Sequence, residues 1–180
     1  KKRKTTTMNN KVYAQRPCYM FDMIYVFNKR WYHVHVFLTV VDIVVSMVFG
    51  PKEIEAVMKN ENGILQSSCK DKVWIDLTTS SPSLMRNLAK EFEALGGFAV
   101  DAPVTGSLDA AIRGDMIMFV GGSEKAISNA KEVLKVIGEI RCVGDYGNGY
   151  VAKLVNNQLW KIHATAIGEA MVLAKKAGLE

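Results

Sequence analysis

Val73-Trp74-Ile75-Asp76-Leu77-Thr78-Thr79-Ser80-Ser81-Pro82 decides the fold. Its first five residues are bulky and largely β-branched or aromatic, the composition of a buried strand. The next four carry hydroxyls that can accept a helix's first free amides, and proline then fits the first turn of that helix. A strand passing through a short polar loop into a helix is the repeating unit of a layered α/β protein.

The same unit recurs on either side. Upstream, Val41-Asp42-Ile43-Val44-Val45-Ser46-Met47-Val48 has the length and β-branched content of a buried parallel strand. Gly50-Pro51 ends it, and a short helix is expected from Lys52 to Lys59 with Ile54, Val57 and Met58 inward. Downstream, a helix from Pro82 runs to about Leu95, with Thr79, Ser80 or Ser81 as its cap, and Gly96-Gly97 stop it. Phe98-Ala99-Val100 makes a third strand and Met116 to Val120 a fourth, broken by Gly121-Gly122. Ser123 caps a helix to about Val136, and Ile140-Arg141-Cys142-Val143 forms a fifth strand. Strands alternating with helices of this length predict an α/β fold with a mainly parallel sheet. Ligands of such sheets lie at the carboxyl ends of the strands. Those ends carry Ser46-Met47-Val48, Thr78-Thr79 and Pro103-Val104-Thr105-Gly106-Ser107.

Beyond the last strand comes Gly147-Asn148-Gly149-Tyr150-Val151-Ala152-Lys153-Leu154-Val155-Asn156-Asn157. With no further Gly or Pro until Gly168, a helix should begin near Asn148. Lys153 and Asn157 then stack one turn apart on one face. Read alone, that face is as compatible with a solvated lysine as with a site. Gly147, Gly149 and Ala152, with Glu169 further on, imitate the dinucleotide fingerprint G-x-G-x-x-G/A. The fingerprint requires a strand between glycines and acid, and a continuous helix from Tyr150 to Lys176 puts Glu169 on the wrong element. His163 projects about 80° away from Lys153 around the helix and reads as a packing or surface residue.

The chain of 180 residues is long enough for a substantial core, and 49% apolar content is that of an ordinary globular protein. Its net charge of +5 is unevenly spread. Residues 1–40 hold eight Lys/Arg and one Asp, a balance of +7, while the rest holds 15 basic and 17 acidic residues, a balance of −2. Lys1-Lys2-Arg3-Lys4 reads as a solvated basic terminus in preference to a nucleic-acid patch. Residues 8–33 mix aromatics, asparagines and charges without a clear period, enough for a strand or two. Cys18, Cys69 and Cys142 are odd in number and widely spaced, which fits free thiols in a reducing, cytoplasmic setting. The apolar run from Val34 to Phe49 is too short and too interrupted to cross a bilayer. No carboxylate pair, His/Cys cluster or Ser-His-Asp order suggests a metal or a hydrolytic triad.

Taken in order and spacing, Ile75 to Pro82, Asp101-Ala102-Pro103-Val104-Thr105-Gly106-Ser107, Gly121-Gly122, and Gly147 through Lys153 to Asn157 closely resemble the β-hydroxyacid dehydrogenase family. That family includes 3-hydroxyisobutyrate dehydrogenase, tartronate semialdehyde reductase and glyoxylate-reductase relatives. The resemblance spans about Val40 to Glu180. It implies the second half of an NAD(P)-binding Rossmann-like domain over residues 40–144 and the first long helix of an all-α domain over 145–180, with residues 1–39 unassigned. It also implies NAD or NADP as cofactor, a small carboxylate substrate of the 3-hydroxy acid class, and a homo-oligomer in the complete enzyme, with no membrane or nucleic-acid partner. Carried over by motif, Lys153 matches the catalytic lysine and Asn157 the substrate-binding asparagine. Thr105, Gly106 and Ser107 match the loop that holds the substrate carboxylate. Thr79 matches a threonine near the nicotinamide, and Met47 and Val48 match the loop after the fourth Rossmann strand.

Departures accompany the match. Val48-Phe49 stand where Leu-Pro is usual, Ser107 and Ala110 replace glycines, and Asp115 stands where Thr is common. The amino-terminal glycine fingerprint is absent, since the first glycine of the chain is Gly50. The chain is therefore expected to be a fragment impaired in dinucleotide binding. A non-catalytic relative serving as a binding or assembly module is the alternative.

Overall fold

The computed structural model describes residues 23–26, 38 and 40–179. Its strands are β1 (Met23–Val26), β2 (Ile43–Ser46), β3 (Val73–Asp76), β4 (Phe98–Asp101), β5 (Val104–Thr105), β6 (Met116–Gly121) and β7 (Gly138–Gly144). The helices are α1 (Pro51–Lys59), α2 (Pro82–Ala94), α3 (Leu108–Arg113), α4 (Glu124–Ile137) and α5 (Asn148–Lys176), with a single 3₁₀ turn at Ile64–Gln66.

All seven strands form one sheet. β1 to β4 are parallel and in simple register, with Met23, Ile43, Val73 and Phe98 side by side. β4 and β5 lie along the same edge of β6, antiparallel to it, with Asp101 opposite Gly121 and Thr105 opposite Ile117. β7 runs parallel to β6 on its far side. The expected mainly parallel α/β sheet is thus present, with β6 and β7 reversed against the rest.

The central strands β2, β3 and β4 are apolar up to their last residues because both faces of the sheet are covered there, whereas β7, which carries Glu139 and Arg141, is largely exposed. Val44, Trp74 and Ala99 point to one face, where they pack with Ile54, Met58, Met85, Leu88 and Phe92 of α1 and α2. Ile43, Val45, Val73, Ile75 and Val100 point to the other, against Ala126, Ala130 and Leu134 of α4. The helix caps are those the sequence suggested. Ser81 and Ser123 accept from the amides of Leu84 and Ala126.

Two elements lie beyond the sequence reading, and a third is expected only by region. β1 is a strand of the kind expected within residues 8–33, whose mixed composition does not mark its bounds, and it extends the sheet one strand further toward the amino terminus than residue 40. α3 follows a loop whose Ser107 caps it by accepting from Ala110 N–H at 3.2 Å. β5 is two residues long, below the length at which alternation can be recognised.

Candidate active site

The carboxyl ends of β2, β3 and β4 meet the start of α5, and buried polar groups join them. Asp76, last residue of β3, is fully buried. Its Oδ1 accepts from Ser46 Oγ at 2.8 Å, from Thr78 N at 3.1 Å and from Thr78 Oγ1 at 2.6 Å. Its Oδ2 accepts from the Tyr150 hydroxyl of α5. Trp74 Nε1 completes the network by donating to Ser46 Oγ at 2.9 Å. Burial pushes the Asp76 carboxyl above its usual range despite these donors. Burial and the neighbouring Asp76 charge push the Tyr150 phenol well up, so the phenol keeps its proton and donates it.

Asp101, last residue of β4, is also fully buried. It accepts from Gly147 N at 2.8 Å and from Tyr150 N at 3.1 Å. Its pKa is pushed up to about 6, mainly by burial and against the pull of those two amides. Sequence reading placed Ser46, Asp76, Asp101 and Tyr150 within its motifs but gave none of them a role. The available signal was an aspartate closing each of two apolar strands, a position where a charge needs built partners.

Thr105 to Ser107 lead from β5 into α3. Gly106 has φ +144°, and a Cβ there would lie 2.8 Å from Met116 Sδ, so glycine is required. Ser107 Oγ is engaged as the α3 cap. Thr105 is half-buried, and its Oγ1 accepts from Asn156 Nδ2 of α5 at 3.4 Å. The helix therefore reaches the loop through Asn156, the neighbour of the residue singled out from sequence. Lys153 and Asn157 are both half-buried on the same helix. Burial lowers the Lys153 pKa, which moves its amine toward the range of a working acid/base.

Met47, Val48 and Thr79 cluster separately, at the ends of β2 and β3. Met47 and Thr79 are exposed and Val48 is half-buried. Val48 N donates to Thr78 Oγ1 at 3.1 Å, and Thr78 in turn donates to Asp76, so this rim is tied to the buried network. Beside it the Ser80 hydroxyl is buried without a hydrogen-bond partner among the described residues. A free buried hydroxyl next to an exposed threonine and two strand-end loops leaves polar groups at this rim that could hold part of a ligand. Among the described residues no group of three or more His, Cys, Asp or Glu side chains could hold a metal ion, and no helix is long and apolar enough to cross a membrane.

α5 is one unbroken helix of 29 residues, so Glu169 lies on the same element as Gly149 and the imitation of a dinucleotide fingerprint fails as argued. His163 is exposed.

A mainly parallel sheet with a polar rim at its strand ends, closed by a lysine-bearing helix, makes a Rossmann-like α/β domain. Residues 10–147 match the family described as the NAD binding domain of 6-phosphogluconate dehydrogenase. Mouse mitochondrial 3-hydroxyisobutyrate dehydrogenase is 36% identical over 141 residues, covering 77% of this chain and 42% of that protein. The 2-hydroxy-3-oxopropionate reductase of Escherichia coli K12 is 33% identical over 140 residues, covering 77% of this chain and 48% of that protein. Among solved structures, Mycobacterium tuberculosis 3-hydroxyisobutyrate dehydrogenase with L-serine shares 30% identity at a TM-score of 0.71, over 78% of this chain and 47% of that one. The chain belongs to the β-hydroxyacid dehydrogenase family. It spans a little under half the length of these curated relatives. The family match begins at residue 10, earlier than the resemblance seen from Val40 onward, and it takes in β1.

Proposed function

We propose that this chain serves an NAD(P)-dependent oxidoreductase that moves a hydride between the nicotinamide and a small 3-hydroxy acid or its semialdehyde. The observation that carries this reading is the Asn156–Thr105 hydrogen bond, which brings the Lys153 helix against the strand-end loop. The loop offers the Thr105 hydroxyl and backbone amides at Gly106 and Ser107 to a carboxylate. Asn157 holds the substrate from the helix side. The nicotinamide, when bound near Met47, Val48 and Thr79, supplies the hydride acceptor or donor. Lys153 takes the hydroxyl proton in oxidation and returns it to the carbonyl oxygen in reduction. A lysine with an ordinary pKa of about 10.4 is too reluctant to do this near neutrality, and the burial of Lys153 lowers it in the needed direction.

The test joins residues 1–180 to the carboxyl-terminal half of a working 3-hydroxyisobutyrate dehydrogenase, with that enzyme's glycine turn supplied at the amino terminus. Dinucleotide reduction is then followed with 3-hydroxyisobutyrate-like acids. Lys153→Ala should lower kcat by roughly 10²–10⁴ and leave dinucleotide affinity nearly unchanged. Lys153→Arg should restore little, because guanidinium does not give up its proton. Near-parental kcat with a raised KM would make Lys153 a carboxylate-binding cation and sink the assignment.

A further inference from the structure

Asp101 sits where β4 gives way to the loop that leads to Thr105, and its two oxygens are used separately. Oδ1 receives Gly147 N–H at 2.8 Å and Oδ2 receives Tyr150 N–H at 3.1 Å. Gly147 is the N-cap of α5, so Tyr150 is the third helical residue, whose amide an N-cap side chain ordinarily satisfies. Glycine has no side chain to do so, and α5 lacks any local side-chain cap. The cap comes instead from another element, with a carboxylate placed where the helix dipole favours negative charge.

The space around that carboxylate is shaped for it. A Cβ at Gly121 would lie 2.7 Å from Oδ1, and one at Gly149 would lie 2.7 Å from Oδ2. Gly147 itself has φ +82°, and a Cβ there would strike Pro82 O at 2.8 Å. One acid thus joins the strand leading to Thr105 to the helix carrying Lys153, which lies one turn beyond Tyr150.

We propose that Asp101 is a positioning residue: by capping α5 from β4 it sets where the Lys153 amine stands relative to the Thr105 loop, without itself touching substrate. The proposal rests on the reading of Lys153 as the acid/base. Its test uses the chain without dinucleotide or substrate, so the two readings fail separately.

The Lys153 amine is titrated by ¹³C NMR of protein labelled at the lysine ε-carbons, its signal assigned by its loss in Lys153→Arg. Asp101→Asn keeps the side chain's size but turns one acceptor into a donor that faces an N–H. The helix start should loosen, Tyr150 amide exchange should speed up at least about tenfold, and the Lys153 midpoint should rise toward its ordinary 10.5 as burial is lost. An unchanged Lys153 midpoint with a lower Tm would make Asp101 a structural anchor only and overturn the proposal. A lowered midpoint would show a charge acting through space, because removing a nearby anion makes an ammonium less favourable; that also overturns it.

Should Asp101→Asn not fold, the parent protein supplies the answer between pH 4 and 8. Two titratable groups face Asp101, the Asp76 carboxyl from β3 and the Tyr150 phenol from α5. Gly147 N–H is donated to Asp101, so its amide shift marks that acid and not Asp76. The Lys153 ε-carbon signal should move with the Gly147 amide near pH 6, and a flat Lys153 signal across that window would refute the positioning role.

Discussion

Gly149 and Gly168 lie on the same helix, and Gly→Ala should have opposite effects at the two positions. Helix propensity alone favours alanine by about 0.8–1.0 kcal/mol at an interior position. At Gly168 nothing lies within 4 Å of an added Cβ, so propensity acts unopposed. At Gly149 the new Cβ would stand 2.3 Å from Phe119 O, 2.7 Å from Asp101 Oδ2 and 2.9 Å from Asp101 O. None of these atoms is the free end of a flexible side chain, since Asp101 is itself fixed by two amides. The start of α5 must therefore back away by about 1 Å, at a cost of about 1–3 kcal/mol for overpacking. That movement also stretches the charge-assisted Tyr150–Asp101 bond, adding about 1.5–3 kcal/mol. Against a propensity gain of at most about 1 kcal/mol, the net loss is about 2–5 kcal/mol. Urea unfolding measures this global loss, and native-state hydrogen exchange measures the local gain at Gly168, where α5 is solvent-exposed. Gly168→Ala should slow exchange in its part of α5 by about fivefold. A Gly149→Ala protein as stable as the parent would show that α5 is not seated tightly on β4 and β6, and the reasoning would fail.

Three further outcomes follow from the same geometry. Asp101 holds its proton more tightly folded than unfolded, its pKa rising from 3.8 to about 6, so between about pH 4 and 6 the folded protein binds more protons and stability falls as pH rises. The loss amounts to about 3 kcal/mol across that window, and urea midpoints of parent and Asp101→Asn should draw together or cross accordingly; a difference independent of pH would refute it. Tyr150→Phe leaves the buried Asp76 Oδ2 without its donor and should cost about 1–3 kcal/mol, or roughly 2–10 °C in Tm by calorimetry, whereas a neutral effect would mean that the phenol's bond is expendable. Isothermal titration of residues 1–180 with NAD⁺ and NADP⁺ should detect weak binding or none, because the sequence offers no glycine before Gly50 to form a pyrophosphate turn; a micromolar Kd would overturn this.

Local chemistry made much of the fold legible. Gly, Pro and Ser punctuation marked the ends of α2 and α4 to within a residue or two, because capping and turn formation are decided by neighbours in sequence. Apolar runs revealed β2, β3, β4 and β6, in which polar residues stand only at the carboxyl ends of β2, β3 and β4. The Asn148 start of α5 was likewise written in Gly147 and in the glycine-free stretch after it. What sequence could not supply was pairing across distance. Lys153 and Asn157 share a face by helical arithmetic, yet the hydrogen bond to Thr105 comes from Asn156. That choice depends on how α5 is rotated against β5 and β6, which no helical period contains. Asp76 and Asp101 read as strand-ending acids until the sheet set them side by side, with Asp76 opposite Asp101 in the register. Tyr150 read as one aromatic in a helix until folding carried its hydroxyl to Asp76 and its amide to Asp101. A carboxylate's partners, and hence its charge state, are properties of the assembled core: only there is water gone and the donor that replaces it chosen.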